Sequence, residues 1–233
     1  GSFHIGGNRT QLRVWHQPTR AKHFAQPADH AHHVRGGDDA VKVDLAGLNF
    51  FRKILSADEG NFSYDPEEGL FIHTVKRSGP NGRTVAVATS TDFEHWEDHG
   101  LSFHADDLDQ ELGRERIESR IADPTLESLR YNNPANYRVD VYNMGVFRYE
   151  GLYIGMPAMY HATSPNPYNS NTEGFHLVQL VCSRDLKTWR RLGHRKAFIG
   201  ASRLESGAYD LTQMIGPSNA VRRGDELWFY YTG

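Results

Sequence analysis

The chain has a single cysteine, Cys182, among its 233 residues, so no intrachain disulfide can form and the redox compartment stays open. No apolar run approaches the roughly 20 residues that a helix needs to cross a bilayer. Basic residues are not in excess. With a net charge of -3, the chain lacks the cationic surplus that a nucleic-acid backbone calls for. Dinucleotide fingerprints, phosphate-cradling glycine loops, G-x-S-x-G elbows and HExxH zinc motifs are all missing. His23, His30, His32 and His33 have no carboxylate at matching spacing and read as part of a solvated arm, so no cofactor or metal is expected. Gly1-Ser2 reads as a remnant of expression, which leaves the presence of a leader, and hence the destination, undecided.

What is present favours strands and turns. Aromatics make up 12% of the chain, beside 22 Gly and 10 Pro. The strongest signal is an internal repeat. Ser90-Thr91-Asp92-Phe93-Glu94-His95-Trp96 is echoed by Ser183-Arg184-Asp185-Leu186-Lys187-Thr188-Trp189, each after an alternating β-branched run. Upstream, Asp58-Glu59-Gly60-Asn61 and Glu68-Gly69-Leu70-Phe71-Ile72 align without a gap to Asp140-Val141-Tyr142-Asn143 and Glu150-Gly151-Leu152-Tyr153-Ile154. The polar stretch 162–173 accounts for the longer spacing in the second copy, as an insertion placed to rim a site.

Each copy predicts four antiparallel strands. The first reads as Asn61–Tyr64, Leu70–Val75, a strand after the Gly79-Pro80-Asn81-Gly82 turn, and a short one containing Trp96. The second reads as Val141–Phe147, Leu152–Met159, His176–Cys182 and Thr188–Leu192. A third begins near Ile215 and turns at Arg223-Gly224-Asp225-Glu226 into Leu227–Tyr231. The expected fold is therefore all-β, a β-propeller of four-stranded blades, with a β-sandwich as the alternative. Residues 1–45 read as an irregular arm or partial blade, and residues 46–233 as two blades and part of a third. Such a set cannot close a ring, so the chain is expected to be a portion of a longer protein. The mixed-charge run 106–116 reads as a solvated connection.

The phrase S-x-D-[LF]-x-x-W, with Gly224-Asp225-Glu226-Leu227-Trp228-Phe229-Tyr230-Tyr231 and the Tyr209–Pro217 segment, resembles the five-bladed propeller glycoside hydrolases of the family 32 and 43 type. The sequence lacks the W-x-N-D-P, R-D-P and E-C-P phrases of family 32. The resemblance implies cleavage of a carbohydrate by acidic residues at the axis of the blades. The residues themselves point the same way. Glycoside hydrolysis needs two carboxyl groups flanking the bond, and repeat-equivalent positions should meet at an axis. Asp58 and Asp140 are equivalent, each three residues before an Asn, and Glu205 and Asp210 precede the third copy. Asp140 is expected as the stabilising or nucleophilic carboxylate and Glu205 as general acid, with Asp210 in reserve; a turn-capping role is the alternative for Asp58. Arg138, Tyr142, Tyr160 and His161 are the expected sugar contacts, since rings stack on C–H faces and hydroxyls need polar partners. Asp92 and Asp185 read as turn-makers, each beside a Trp packed between blades. A carbohydrate-binding propeller without chemistry is the rival reading, and a phosphorylase, which needs a basic pocket beside one acid, is a third.

Overall fold

The computed structural model describes residues 60–169 and 171–233, together with the backbone of one strand at Gln11–Val14 (β1). The expectations for Asp58 and for the histidine-rich arm fall outside the described residues.

Two antiparallel units follow one another. The first contains β2 (Gly60–Asp65), β3 (Leu70–Gly79), β4 (Gly82–Ser90) and β5 (Glu97–Phe103), paired in that order. The second contains β6 (Arg138–Tyr149), β7 (Leu152–Pro165), β8 (Thr172–Val178), β9 (Val181–Ser183) and β10 (Trp189–Arg191). Both β8 and β9 pair with β7, β8 along its far half and β9 along its start, so they act as one strand broken at Gln179-Leu180. A third sheet holds β11 (Ala220–Arg223) and β12 (Glu226–Phe229), with β1 parallel to β12. The strands lie close to the sequence expectation, mostly a few residues longer. Trp96 is an exception, because it stands just before β5 rather than within it.

The sheets pack face to face through alternating side chains, which a strand sends to opposite sides. Val139, Val141, Met144 and Tyr153 of the second unit meet Ile72, Val85, Val87 and Phe103 of the first. Phe147, Met156, Ala158 and Val178 point the other way, to Ile199, Met214, Leu227 and Phe229. At one level the three units touch through polar side chains. Asn143 donates to Asn61 (3.3 Å), Asn61 donates to the Ser218 hydroxyl (2.9 Å), and the Gly216 amide donates to Asn143 (3.4 Å). The approach there is tight: a Cβ on Gly145 would stand 1.8 Å from the Pro217 carbonyl oxygen, so only glycine fits. The described residues do not form a closed ring.

The repeated turn has one physical cause in both copies. Asp92 Oδ1 accepts from the amides of Glu94 and His95, and Asp185 Oδ1 accepts from those of Lys187 and Thr188. Ser90 and Ser183 each donate their hydroxyl to the same aspartate. The turn sends Phe93 and Leu186 to φ of 66° and 61°, a left-handed conformation that those amide bonds hold. Trp189 then joins the two units by donating to Ser102 of β5 (2.8 Å), whereas Trp96 stays within its own sheet against Phe62, His73 and Phe93.

The charged run from residue 106 is not a solvated connection. It forms a helix, α1 (Asp107–Ala122), so the fold is mainly rather than wholly β. Asp106 and Asp109 make a reciprocal capping box. Asp107, Glu111 and Glu115 of the run stay exposed, but Asp109 is fully buried against Arg191 and Arg195, and Arg195 also holds Asp106 (2.7 and 2.9 Å). Gln110 extends the β6 edge, donating to the Val139 carbonyl (2.7 Å) and accepting from its amide (2.8 Å). Helix α1 is not long and apolar enough to cross a membrane, and neither is any other helix among the described residues.

Candidate functional site

A cavity of about 660 Å³ opens where the β3–β4 turn, β6, β7 and β8 converge. Arg138, Asp140 and Tyr142 alternate along β6 and so share the face that lines it. The register slips between Val141 and Asn143, a bulge at Tyr142. Tyr160 of β7, His176 and Thr172 of β8, Asn171 and Gln213 complete the wall with Ser78, Gly79, Gly82 and Arg83. The insertion lengthens the β7–β8 hairpin, and its end delivers Asn171 and Thr172 to the rim.

Asp140, only 1% exposed, is the one carboxylate in that lining. Arg83 Nε donates to both of its oxygens (3.0 Å each), and Arg83 Nη2 stands 2.9 Å from Oδ1. Arg138 Nε stands 3.9 Å from Oδ2. Gly82 makes this approach possible: its φ is +97°, and a Cβ there would meet Asp140 Oδ2 at 3.0 Å and its Cβ at 3.2 Å. The Arg83 guanidinium lies over the rings of Tyr142 (4.9 Å) and Tyr160 (4.5 Å), and Lys76 Nζ lies 4.4 Å from the Tyr142 centroid. Tyr160 donates to the Thr172 carbonyl, and burial together with the charge of Asp140 pushes its phenol up to about 12 against the opposing pull of Arg83. His176 packs its ring 4.8 and 4.9 Å from Tyr160 and Tyr142 and accepts from the Met214 amide at Nδ1. Burial first, then the neighbouring Arg83, pushes its pKa down to about 3, so it is neutral at physiological pH. Its Nε2 is buried without a hydrogen-bond partner.

Of the residues singled out from sequence, Asp140, Arg138, Tyr142 and Tyr160 meet here. His161 does not. Next to Tyr160 on β7, it faces the opposite side, buried under α1 with its ring stacked 4.8 Å from Phe175 and Nδ1 against the Met159 carbonyl. Glu205 lies in an exposed turn at φ +67°, away from the cavity lining. Asp210 is buried outside the lining too, where it accepts from the Tyr231 hydroxyl (2.6 Å), while its carbonyl takes the Ser202 amide. Burial and that bond push the Tyr231 phenol upward. The third unit thus brings no acid to Asp140; the stretch before its Gly216 contact is Met214-Ile215, which is apolar. Sequence reasoning missed Arg83, His176 and Gln213, whereas Asn171 and Thr172 fall in the 162–173 stretch expected to rim a site. Of the three missed, Arg83 alone left a signal, as the cation directly after the Gly79-Pro80-Asn81-Gly82 turn.

No protein-family model matches the sequence. No curated protein matches it either. Among solved structures, the chain is similar to a glycosyl hydrolase from Bacteroides ovatus at 17% identity and TM-score 0.36, over 69% of this chain and 36% of the other. It is also similar to a provisionally named glycoside hydrolase from Parabacteroides distasonis (16%, TM-score 0.37, 75% and 42%). A third is the sucrose-6-phosphate hydrolase from Lactobacillus gasseri (13%, TM-score 0.21, 77% and 44%). The chain spans less than half the length of these structures.

Proposed function

We propose that the chain is part of a five-bladed β-propeller glycoside hydrolase that acts on an oligo- or polysaccharide in the cavity at Asp140. One observation carries the reading: a buried carboxylate lines a polar cavity of about 660 Å³ together with Tyr142 and Tyr160. That size lies within the roughly 300–1,000 Å³ of small-molecule sites. The partly exposed Tyr142 ring offers a surface for sugar C–H groups, and Arg138, Asn171, Thr172 and Gln213 offer polar partners for hydroxyls.

Asp140, gripped by Arg83, suits the role of a negative charge facing the oxocarbenium-like transition state. A proton donor is still needed. No second carboxylate lines the cavity among the described residues, and Asp58, the repeat-equivalent of Asp140, is the proposed partner. Release of sugar from aryl glycosides and polysaccharides, abolished by Asp140→Asn and by Asp58→Asn, is the expected result. Activity that survives Asp140→Asn would sink this site.

The single acid beside Arg83 and Arg138 favours two other readings. In phosphorolysis, phosphate takes the place of the attacking water, and sugar release would depend on added phosphate. In a binding module, glycan is retained with no release under any condition.

A further inference from the structure

The chain as a whole is acidic, yet the wall of this cavity is not. Among the described residues, its charged groups are the guanidiniums of Arg83 and Arg138 and the single carboxylate of Asp140, and Asp58, as the proton donor proposed above, would stand there protonated and uncharged. Arg83 already neutralises Asp140 through short contacts to both oxygens. Arg138 is left over. Its side chain is 54% exposed, and its nearest charged contact is the 3.9 Å approach to Asp140. His176 adds no charge at neutral pH, since burial keeps it unprotonated. Among the described residues, Glu173 is a further acid whose charge reaches Tyr160. It stands outside the lining, and its Oε1 accepts from the Arg130 amide (3.1 Å).

On the reading of this cavity as a glycan site, we propose that its substrate is an anionic sugar, whose oxyanion binds Arg138 while its ring lies against Tyr142. A guanidinium offers paired N–H donors that match the oxygens of a carboxylate, sulfate or phosphate group, and such charge-assisted bonds are about twice as strong as neutral ones. A neutral sugar would leave the excess positive charge of the wall uncompensated.

The test is calorimetric binding by the full chain. Its panel holds glucose, galactose, mannose and N-acetylglucosamine, each as neutral methyl glycoside, 6-sulfate and 6-phosphate, with the hexuronates of the first three. Inorganic sulfate and phosphate are titrated alongside. At least one anionic sugar is expected to bind ten-fold or more tighter than its neutral twin, and which oxyanion wins identifies the substituent. Arg138→Ala is expected to erase that preference with an unchanged melting temperature, and Arg138→Lys to restore part of it. Added salt is expected to weaken the anionic sugar more than the neutral one.

Equal binding of both twins, no binding by any anionic member, or an unchanged preference in Arg138→Ala overturns the proposal. So does inorganic phosphate binding as tightly as any sugar, which would mark a free-anion site. The hydrolase reading fails separately. Anionic sugars that bind while their aryl glycosides stay intact keep this inference and discard hydrolysis; neutral glycosides cleaved at Asp140 do the reverse.

Discussion

Two buried aspartates in this molecule are held by arginine, and they serve different ends. Asp109 is 0% exposed and meets Arg191 and Arg195, which are themselves largely buried. Its backbone amide is also spent, on Asp106 in the helix cap. Asp140 is 1% exposed, but its partner Arg83 is 28% exposed and its neighbour Arg138 more so, beside an open cavity. The first cluster turns its cations inward and fastens α1 to β10 and the turn after it. The second leaves cations at a cavity wall. Burial of an acid is thus no mark of function here; the exposure of its counter-charges separates the two cases.

The largest expected effect falls on the closed cluster. Asp109→Asn leaves Arg191 buried without its counter-charge, while Arg195 keeps Asp106, and is expected to lower stability by about 3–5 kcal/mol, measured by urea unfolding. Asp140→Asn is expected to cost less, about 1–3 kcal/mol, since water can reach Arg83, while sugar release disappears. The contrast breaks if the second loss equals the first.

Acid should weaken both regions through their histidines. His161, under α1, and His176, at the cavity, are each pushed from 6.5 down to about 3, chiefly by burial. In the window between those values the unfolded chain binds protons that the folded chain refuses. Their contribution is therefore complete above about pH 6.5 and is lost as pH falls toward 3. His161→Phe is expected to flatten the fall in urea midpoint from pH 7 to pH 4 and spare ligand binding. His176→Phe is expected to flatten it as well and to impair binding, and equal binding by the two variants would remove His176 from the site.

A later acid step belongs to Asp106. Burial opposes its ionisation, but the hydrogen bonds from Arg195 and the Asp109 amide, with the charges of Arg195 and Arg191, hold it at about 2. Its stabilisation is complete above about pH 3.8 and is lost as pH falls toward 2, so Asp106→Asn should flatten unfolding curves only in that window. Smallest of all is the stability change in Arg138→Ala, expected within about 0.5 kcal/mol by the same unfolding measurement.

The sequence showed the repeat because its causes are local. The Ser-x-Asp turn is closed by hydrogen bonds spanning two or three residues, whereas the strand expected from Val141 turned out to start at Arg138, and alternation along it puts Arg138, Asp140 and Tyr142 on one face. The same rule, applied to Tyr160 and His161, separates them, and His161 was the wrong neighbour to keep. Glu205 and Asp210 misled for another reason. They lie in an irregular connection, where spacing says nothing about direction, and their fates depend on Thr125, Ser202 and Tyr231. The charged run that became α1 hid its purpose because Arg191 and Arg195 are about 80 residues away.

The sequence by itself therefore determined the strands, the turns between them and their repetition. Those follow from torsions and hydrogen bonds within a few residues of chain. Only the tertiary structure decided which acids meet cations, that Arg83 closes on Asp140 across the Gly82 turn, and that Arg138 is left at the cavity wall. Those outcomes rest on contacts between distant segments, whose charges and desolvation no local pattern encodes.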